Sequence, residues 1–337
     1  MELRDLSRPT PTLQGFKVAS DRPRVVEISE IGRARTGESL TVCATSALAT
    51  DPQVRAAVAV CREITRTRAG NFYWGLRLTP EPRRSAMYAI YAWMREADDI
   101  VDGPQVSRAA GHALVTAFRE QTRQALTGVA ESEEPIWRAL AAVAREYPIS
   151  ASDFYEMLDG QIADLDPRRL QSWDELRHYC CQVAGTVGSV CVSIWGQTDP
   201  QASDLAVERG IAFQLTNILR DVGEDLKSNR VYLPESEFAR FAITPEELAL
   251  WSRPRGCEAL MRSVITTARE HFVRSEPLDQ MIDPACRATL WAMTEIYRQL
   301  LETIARDPAQ VTRRRVRLST PRKMWIALRA RTLGGNS

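Results

Sequence analysis

The feature that most constrains this chain is a polar, acidic stripe inside an apolar helical segment, GIAFQLTNILRDVGEDLKSNRVYLP, at residues 210–234. The stripe occupies positions i, i+3, i+7 and i+11, which a helix places on one face: Gln214, Asn217, Asp221 and Asp225. Two carboxylates one turn apart repel each other, and burial strengthens the repulsion. A buried helix with this pattern indicates a cation held beside the two aspartates.

A second segment repeats this arrangement. YAIYAWMREADDIVDG, residues 88–103, contains Asp98 and Asp102 at the same four-residue spacing, with Tyr91 and Arg95 on their helix face. One such pair alone is commonly a solvated helix face. Two pairs inside apolar sequence favour a helical bundle that holds divalent ions between facing carboxylates.

The donor atoms indicate which ion is bound. Oxygen ligands without nearby His or Cys are typical of a hard cation such as Mg²⁺, which completes its shell with water and phosphate oxygens; Mn²⁺ is an alternative. We therefore expect a site shared by metal and diphosphate. Its expected metal ligands are Asp98, Asp102, Asn217, Asp221 and Asp225. Arginines that would bind the same anion are Arg95, Arg220 and Arg230, with Gln214 assisting.

Three segments carry a resemblance to a known family: RLTPEPRRSAMYAIYAWMREADDIVDG, YCCQVAGTVGSV and QLTNILRDVGEDLKSNRVYLP. They resemble the squalene/phytoene synthase family of head-to-head prenyl-diphosphate synthases, over roughly residues 55–330. The resemblance implies an all-α, isoprenoid-synthase-type fold, a single-domain helical bundle with a central apolar cavity. It also implies a prenyltransferase that uses Mg²⁺ to condense two allylic prenyl diphosphates through a cyclopropyl diphosphate intermediate.

Further site residues follow from the resemblance. Tyr179 and Tyr297 match tyrosines at the family's active-site cavity, and together with Tyr91 they would stabilise carbocations. The family places one arginine of the run 313–315 on a diphosphate, and the following Val316 favours Arg315.

The same resemblance assigns a hydrocarbon tunnel to the AGTVG segment. Its lining would include Ala184, Gly185 and Gly188. From the residues alone, glycines on adjacent helical turns are an equally good sign of close helix packing.

The product remains open at this level. LRDVGED and AGTVG resemble members that join two geranylgeranyl diphosphates to phytoene in carotenoid biosynthesis. FYWGLRLTPEPRRSAMYAIYAW also resembles presqualene-diphosphate synthases of hopanoid pathways, and a dehydrosqualene synthase would likewise use farnesyl diphosphate. A catalytically silent helical scaffold is the alternative from another class, although intact carboxylates disfavour it. Because no G-x-G-x-x-G follows a strand, we expect no NADPH.

Composition sets the remaining expectations. A net charge of +1 over 337 residues does not indicate nucleic-acid binding. Seven cysteines without a C-x-x-C pair favour reduced cytoplasm over a disulfide framework. No apolar run of about 18 residues occurs, so we expect a cytoplasmic protein. Peripheral contact with the inner membrane face would involve Arg322, Lys323 and Trp325. Monomer and homodimer both stay open.

The chain divides into a tail and a body. Residues 1–50 are rich in Arg, Pro, Ser and Thr and are expected to be a mobile tail, whereas 51–337 form the helical domain. Asp51-Pro52 would cap and start its first helix. Periodicity predicts further helices over 106–128, 134–146 and 150–165. Four acids with irregular spacing are interpreted as surface residues: Asp153, Asp159, Asp164 and Asp166.

Overall fold

The structure, a computed structural model, describes residues 46–70, 72–103, 107–128, 132–165 and 169–334. Throughout these ranges the regular elements are helices, and the β-structure consists of a single isolated bridge between Gln197 and Ile282. The expected all-α class is confirmed. The side chain of Asp102 lies outside what the structure describes, although its backbone belongs to a helix.

The α-helices, numbered along the chain, are Ala47–Thr50 (α1), Pro52–Arg68 (α2), Phe72–Leu76 (α3), Arg83–Asp102 (α4), Arg108–Thr127 (α5), Pro135–Glu146 (α6), Ala151–Leu165 (α7), Trp173–Cys180 (α8), Thr186–Trp195 (α9), Ala202–Lys227 (α10), Glu235–Arg240 (α11), Pro245–Leu250 (α12), Pro254–Arg274 (α13), Leu278–Met281 (α14), Pro284–Arg306 (α15), Gln310–Arg313 (α16) and Thr320–Gly334 (α17). A π-helix, Cys181–Gly185, joins α8 to α9. The helices predicted from periodicity correspond to α5, α6 and α7.

The start of the helical body lies earlier than the sequence pattern indicates. Asp51 caps α2 as expected, because its side chain accepts hydrogen bonds from the backbone N–H groups of Gln53 and Val54. Residues 47–50, however, form α1, and Ser46 precedes it as the N-cap residue. Leu48 is buried, and Ser46 donates to Glu146 across 2.6 Å. Residues 1–45, on which the tail prediction rests, lie outside the described residues.

The long helix α10 lies at the centre of the bundle. It packs against α9, the π-helix, α13 and α15, and its buried face includes Ile211, Leu215 and Leu219. Helix α4 is the second buried element and packs against α2, α6 and α7. Both acidic segments of the sequence therefore belong to interior helices, which is the arrangement that the apolar residues around them predict.

The π-helix and α9, which follow each other along the chain, both approach α10 unusually closely. A Cβ on Gly188 would lie 2.3 Å from the carbonyl oxygen of Ala206, and one on Gly210 equally close to that of Ala184. Neither position tolerates a side chain without movement of the backbone. As the residue number rises along α9, its partner's number falls along α10, so the two helices run antiparallel.

Two further findings bear on the class of protein. No helix in the described ranges is long and apolar enough to cross a bilayer. The six cysteines of those ranges are free thiols, five of them buried.

Candidate active site

A cavity of about 390 Å³ lies between α4, α7, α9, α10 and α15. The lining changes character along α10. Ala206, Gly210 and Phe213 line the first part, whereas Asn217 and Asp221 line the last. At 1.5 Å per residue, the wall from Ala206 to Asp221 extends about 22 Å.

Beside this wall, α9 contributes much of the apolar lining. Val187, Cys191 and Trp195 face the cavity, and Leu278 and Leu290 continue the surface. Because α9 runs antiparallel to α10, Trp195 lies near the start of α10 and Tyr179 lies near its acidic end. The cavity is therefore acidic at one end and mostly apolar along the rest of its length, where the buried Arg209 is the charged exception among the lining residues that the structure describes.

Asp98 brings the first acidic segment into the polar end. It lines the cavity from α4, and its Oδ1 accepts a hydrogen bond from Gln161 Nε2 at 2.5 Å. Arg95 does not line the cavity: it donates to Asp99, and its Nη1 lies 3.6 Å from Asp98 Oδ2. Asp102, the second expected ligand on this helix, has its side chain outside the described part of the chain.

Asp221 brings in the second acidic segment, and two arginines hold it. Arg315 approaches it with Nε 2.8 Å from Oδ1 and Nη2 2.9 Å from Oδ2, a bidentate contact. Arg220 also donates to both oxygens. Burial opposes the charge on Arg220, but the hydrogen bond to Asp221 and the charge of Asp221 together with its neighbours outweigh burial and raise the pKa of the guanidinium. Arg315, the arginine that the resemblance favours, therefore lies at the acidic end, whereas neither Arg313 nor Arg314 pairs with Asp221 in the described part of the chain.

Asp225 occupies a different position from the one that the stripe predicts. It lines a small adjoining cavity with Val222, Arg230 and Tyr232, and not the main cavity. The difference arises at the end of α10, because residues 230–233, which follow the helix, line this small cavity together with Asp225. Burial, and then the charge of Asp221, raise the pKa of Asp225 to about 7, while Arg230 opposes the shift.

Asp164 is the residue that sequence interpretation missed. It lines the main cavity from α7, so its assignment as a surface acid is wrong. Its two oxygens accept from Tyr179 Oη at 3.0 Å and Tyr232 Oη at 3.1 Å, and the two rings stack at 5.2 Å. Irregular acid spacing carries no sign of this contact, since the tyrosines come from distant segments.

The other three acids of that set behave differently. Asp153 accepts a hydrogen bond from Ser189 at 2.8 Å, and Asp159 pairs with Arg119. Asp166 lies outside the described residues. Neither Asp153 nor Asp159 lines the main cavity.

The expected tyrosines surround the cavity at different depths. Tyr91 and Tyr179 line it directly, and burial raises the pKa of Tyr91 to about 12. Tyr297 lies one layer behind, stacked on Phe213 with ring centroids 4.2 Å apart. Its burial raises its pKa, opposed by the charge of Arg220 and a hydrogen bond with Asn217. All three phenols are therefore protonated at neutral pH.

The expected tunnel residues also differ in whether they line the cavity. Ala184 and Gly188 line the cavity. Gly185 does not; it packs against Val207 of α10, which a Cβ would approach within 2.9 Å. Both interpretations of the AGTVG segment thus apply, one to each glycine. The π-helix that contains Gly185 is the kind of distortion often found at functional sites.

The polar end fits a hard cation. Asn217 Oδ1 is buried and has no hydrogen-bond partner, which leaves a carbonyl oxygen available as a ligand beside Asp221. Asp98 supplies a carboxylate to the same cavity. Among the described residues no three His, Cys, Asp or Glu side chains converge on one point. A cation held here would therefore need further oxygens from water or from an anionic ligand.

An all-α bundle whose two acidic helices border a deep apolar cavity defines the isoprenoid-synthase class. A model of the squalene/phytoene synthase family matches residues 65–322, and the chain belongs to that family of prenyltransferases.

Known relatives agree with this membership. Phytoene synthase of Arthrospira platensis is 35% identical over 291 residues, which cover 81% of this chain and 93% of the relative. Phytoene synthase of Mycobacterium tuberculosis is 36% identical over 281 residues, 82% and 91% of the two chains. Among solved structures, a dehydrosqualene synthase in complex with ligand superposes with a TM-score of 0.73 at 27% identity, covering 85% of this chain and 99% of that one.

Proposed function

We propose that the protein is a phytoene synthase: it condenses two geranylgeranyl diphosphates head to head, through a cyclopropyl diphosphate, to the C40 hydrocarbon of carotenoid biosynthesis. The observation that carries this proposal is the single cavity bordered by Asp98 at one helix and by Asn217 and Asp221 at another, with apolar walls beyond them. The curated relatives named phytoene synthase support the choice of product.

Mg²⁺, or Mn²⁺ in its place, would be held by Asp98, Asn217 and Asp221 together with diphosphate oxygens. Asp225 and Asp102 remain proposed ligands on the same helices. When bound, the cation supplies Lewis-acid stabilisation of the charge that develops on a departing diphosphate. The acidic residues alone would repel that anion, which is why the site needs the cation to bind substrate.

Diphosphate oxygens would be oriented by the cationic and amide side chains around the acids. Arg220 and Arg230 line the cavity, and Arg315 lies against Asp221. Gln214 borders the cavity as a polar contact, and Tyr297 hydrogen-bonds Asn217. We propose that Arg95 acts on Asp98 and not directly on substrate, because it does not line the cavity.

The chain's remaining contribution is to protect a carbocation. Tyr91 and Tyr179 face the cavity with neutral phenol rings, whose π-faces and hydroxyl dipoles would stabilise positive charge. The apolar surface of α9 excludes water, which would otherwise quench an allylic cation. Both roles need only the rigid, buried lining that the helices provide.

A second candidate keeps the site and changes the chain length. The superposition on a dehydrosqualene synthase favours a condensation of two farnesyl diphosphates, with dehydrosqualene or presqualene diphosphate as product. We further propose that the enzyme is cytoplasmic and needs no NADPH. We also propose that it contacts the membrane peripherally, since its product is a hydrocarbon.

Product identification tests the proposal. The purified chain would be incubated with C15 or C20 allylic diphosphate and Mg²⁺, with and without NADPH, and the extracted lipid identified by mass spectrometry. Phytoene from the C20 substrate, unchanged by NADPH, is the expected result. A C30 product made only from the C15 substrate would support the second candidate. If neither substrate gave a product, the catalytically silent helical scaffold would be the remaining interpretation.

A further inference from the structure

The C-terminal helix α17 has an exposed face unlike that of the other described helices. Ile326 and Ala330 are fully buried against the body, where α17 packs on α15 and α3. On the opposite side Met324, Trp325 and Leu328 are 53%, 46% and 62% exposed. These three residues lie at i, i+1 and i+4, so they form one continuous patch. We call them the α17 patch.

Exposed apolar residues elsewhere in the described ranges are isolated. Val60, Leu114, Leu250 and Val273 lie on four different helices. Single exposed apolar side chains are normal on soluble proteins, whereas a cluster that includes Trp marks a surface that contacts something.

The charges of the chain segment that carries the patch are all of one sign. Residues 313–334 contain eight basic residues and no Asp or Glu: Arg313, Arg314, Arg315, Arg317, Arg322, Lys323, Arg329 and Arg331. The whole chain carries a net charge of only +1, so this concentration is a local feature. A basic segment around exposed Trp and Leu matches the physical requirements of an anionic lipid surface.

Two arginines frame the patch. The guanidinium carbons of Arg322 and Arg329 lie 5.2 and 5.4 Å from the centre of the Trp325 ring, so the indole is held between two cations. Arg329 also lies 5.7 Å from the Trp291 ring of α15. An indole flanked by arginines suits the headgroup region, where the ring meets the acyl boundary and the cations meet phosphates.

The patch adjoins the candidate active site along the chain. The segment that leads into α17 contains Arg315, whose contact with Asp221 places it at the polar end of the cavity. Lys323 of α17 lies close enough to Arg220, which lines the cavity, for the charge of Arg220 to help burial lower the pKa of Lys323. A lipid surface against α17 would therefore lie near the end of the cavity that takes the diphosphate. An amphiphilic substrate and a hydrocarbon product are both poorly soluble in water, so this proximity shortens their aqueous path.

We propose that the α17 patch and its flanking arginines dock the protein on an anionic lipid bilayer. The inference rests on the proposed function for its purpose, but its physical basis is independent of turnover. The helix lies in the plane of the interface: Trp325 and Leu328 enter the acyl boundary, and Arg329 and Arg331 contact anionic headgroups.

Vesicle co-sedimentation of the full-length chain tests this. Vesicles of phosphatidylcholine with 30% phosphatidylglycerol are compared with pure phosphatidylcholine vesicles at about 0.1 M salt, where surface charge is not fully screened. The wild type should bind the anionic vesicles more strongly. The double variant Trp325→Ser/Leu328→Ser should bind about tenfold or more weakly, since both apolar anchors are lost. Arg329→Gln/Arg331→Gln should lose roughly fivefold per charge, and only on anionic vesicles.

Matched controls separate the patch from general surface chemistry. Leu250→Ser removes a side chain from a residue that is 79% exposed, and Arg262→Gln/Arg274→Gln removes two exposed charges from α13. Both controls should bind like the wild type. Equal vesicle binding by the α17 variants and the controls, or no binding by the wild type, would overturn the proposal. The proposal would also be overturned if the wild type were a dimer that did not bind vesicles and Trp325→Ser/Leu328→Ser converted it to a monomer. The patch would then contact a second copy of the chain.

Activity on detergent-solubilised substrate distinguishes this proposal from the proposed function. The α17 variants should keep wild-type turnover in detergent, because their residues do not line the cavity. Vesicle binding without any turnover would count against the enzyme assignment and leave the docking surface intact.

Discussion

At the scale of single residues, the geometry of the candidate site depends on the hydrogen-bond partners of each carboxylate. Gln161 holds Asp98, two arginines hold Asp221, and two tyrosines hold Asp164. Each carboxylate is thus oriented by a different partner. Burial of a carboxylate raises its pKa, and Asp225 shows this effect.

Asp164 is expected to position Tyr179. In Asp164→Asn the amide oxygen still accepts a hydrogen bond from one tyrosine hydroxyl. The charge-assisted hydrogen bond from the other tyrosine hydroxyl is weakened. We expect kcat to fall about tenfold with KM little changed, because the altered group acts on a cation-facing ring. Steady-state kinetics would measure this, with Asp159→Asn on the same helix as control. A fall of equal size in the control would show that α7, and not the tyrosine contact, is responsible.

His271 gives the molecule a pH-dependent stability. It is buried, and burial lowers its pKa although Glu208 lies 2.7 Å from Nδ1 and opposes the shift. A histidine whose pKa is lowered by folding stabilises the fold above its unfolded value of about 6.5. This stabilisation is lost as the pH falls from there through the folded pKa, since the unfolded chain binds the proton more readily.

Thermal unfolding between pH 7.5 and 5 checks this sign. The wild-type midpoint should decrease over that range, and the decrease should be smaller in His271→Gln. Burial opposes the ionisation of Glu208, but its hydrogen bonds to Arg177 and His271 and the charges of these two residues lower its pKa overall. Its contribution to stability therefore changes only as the pH falls below the ordinary pKa of a glutamate. A midpoint that rises with acid in the wild type would contradict the assignment.

At the scale of elements, close helix contacts determine where the functional side chains lie. Gly223 of α10 faces α16, and a Cβ there would lie 2.4 Å from the carbonyl oxygen of Val311. This contact brings the C-terminal segment against α10, so that Arg315 reaches Asp221 two residues before the glycine. The glycine is therefore a positioning residue for the arginine.

Gly223→Ala should displace α16 and weaken that contact. The clash involves backbone, so we expect a loss of about 1–3 kcal/mol in the free energy of unfolding together with reduced turnover. Gly75→Ala is a suitable control, because its Cβ would meet the flexible side chain of Met293 at 2.4 Å. Denaturant titration of both variants measures and compares their losses in the free energy of unfolding. A larger loss in Gly75→Ala would contradict this account of the α10–α16 contact.

The sequence predicted elements well and contacts between them poorly. The acidic helices α4 and α10 could be recognised because carboxylate spacing within apolar sequence is a local pattern. The roles of Asp164 and Arg209 could not, since each depends on distant partners. Arg209 is 2% exposed and is satisfied by Ser275, Thr294 and Asp279, which belong to other segments. The turn of Asp225 away from the main cavity likewise depends on where α10 meets the 230–233 segment.

At the scale of the whole molecule, the bundle places acidic and apolar surfaces in different parts of one cavity. Charge is concentrated where α4, α7 and the end of α10 meet, and the apolar lining extends along α9 towards Trp195. A diphosphate and its prenyl chain have the same polarity profile. The match between the cavity and such an amphiphile is the physical basis of the functional proposal.

The most direct test of this account is the divalent-dependent release of diphosphate from an allylic substrate by Asp98→Asn and Asp221→Asn. The variants are compared with wild type and with Asp159→Asn, an exposed acid outside the cavity, and circular dichroism verifies that each is folded. We predict that either cavity variant loses at least about a hundredfold in rate, while the control keeps the wild-type rate. Near-wild-type release by a folded Asp98→Asn or Asp221→Asn would contradict the claim that the two helices share one site.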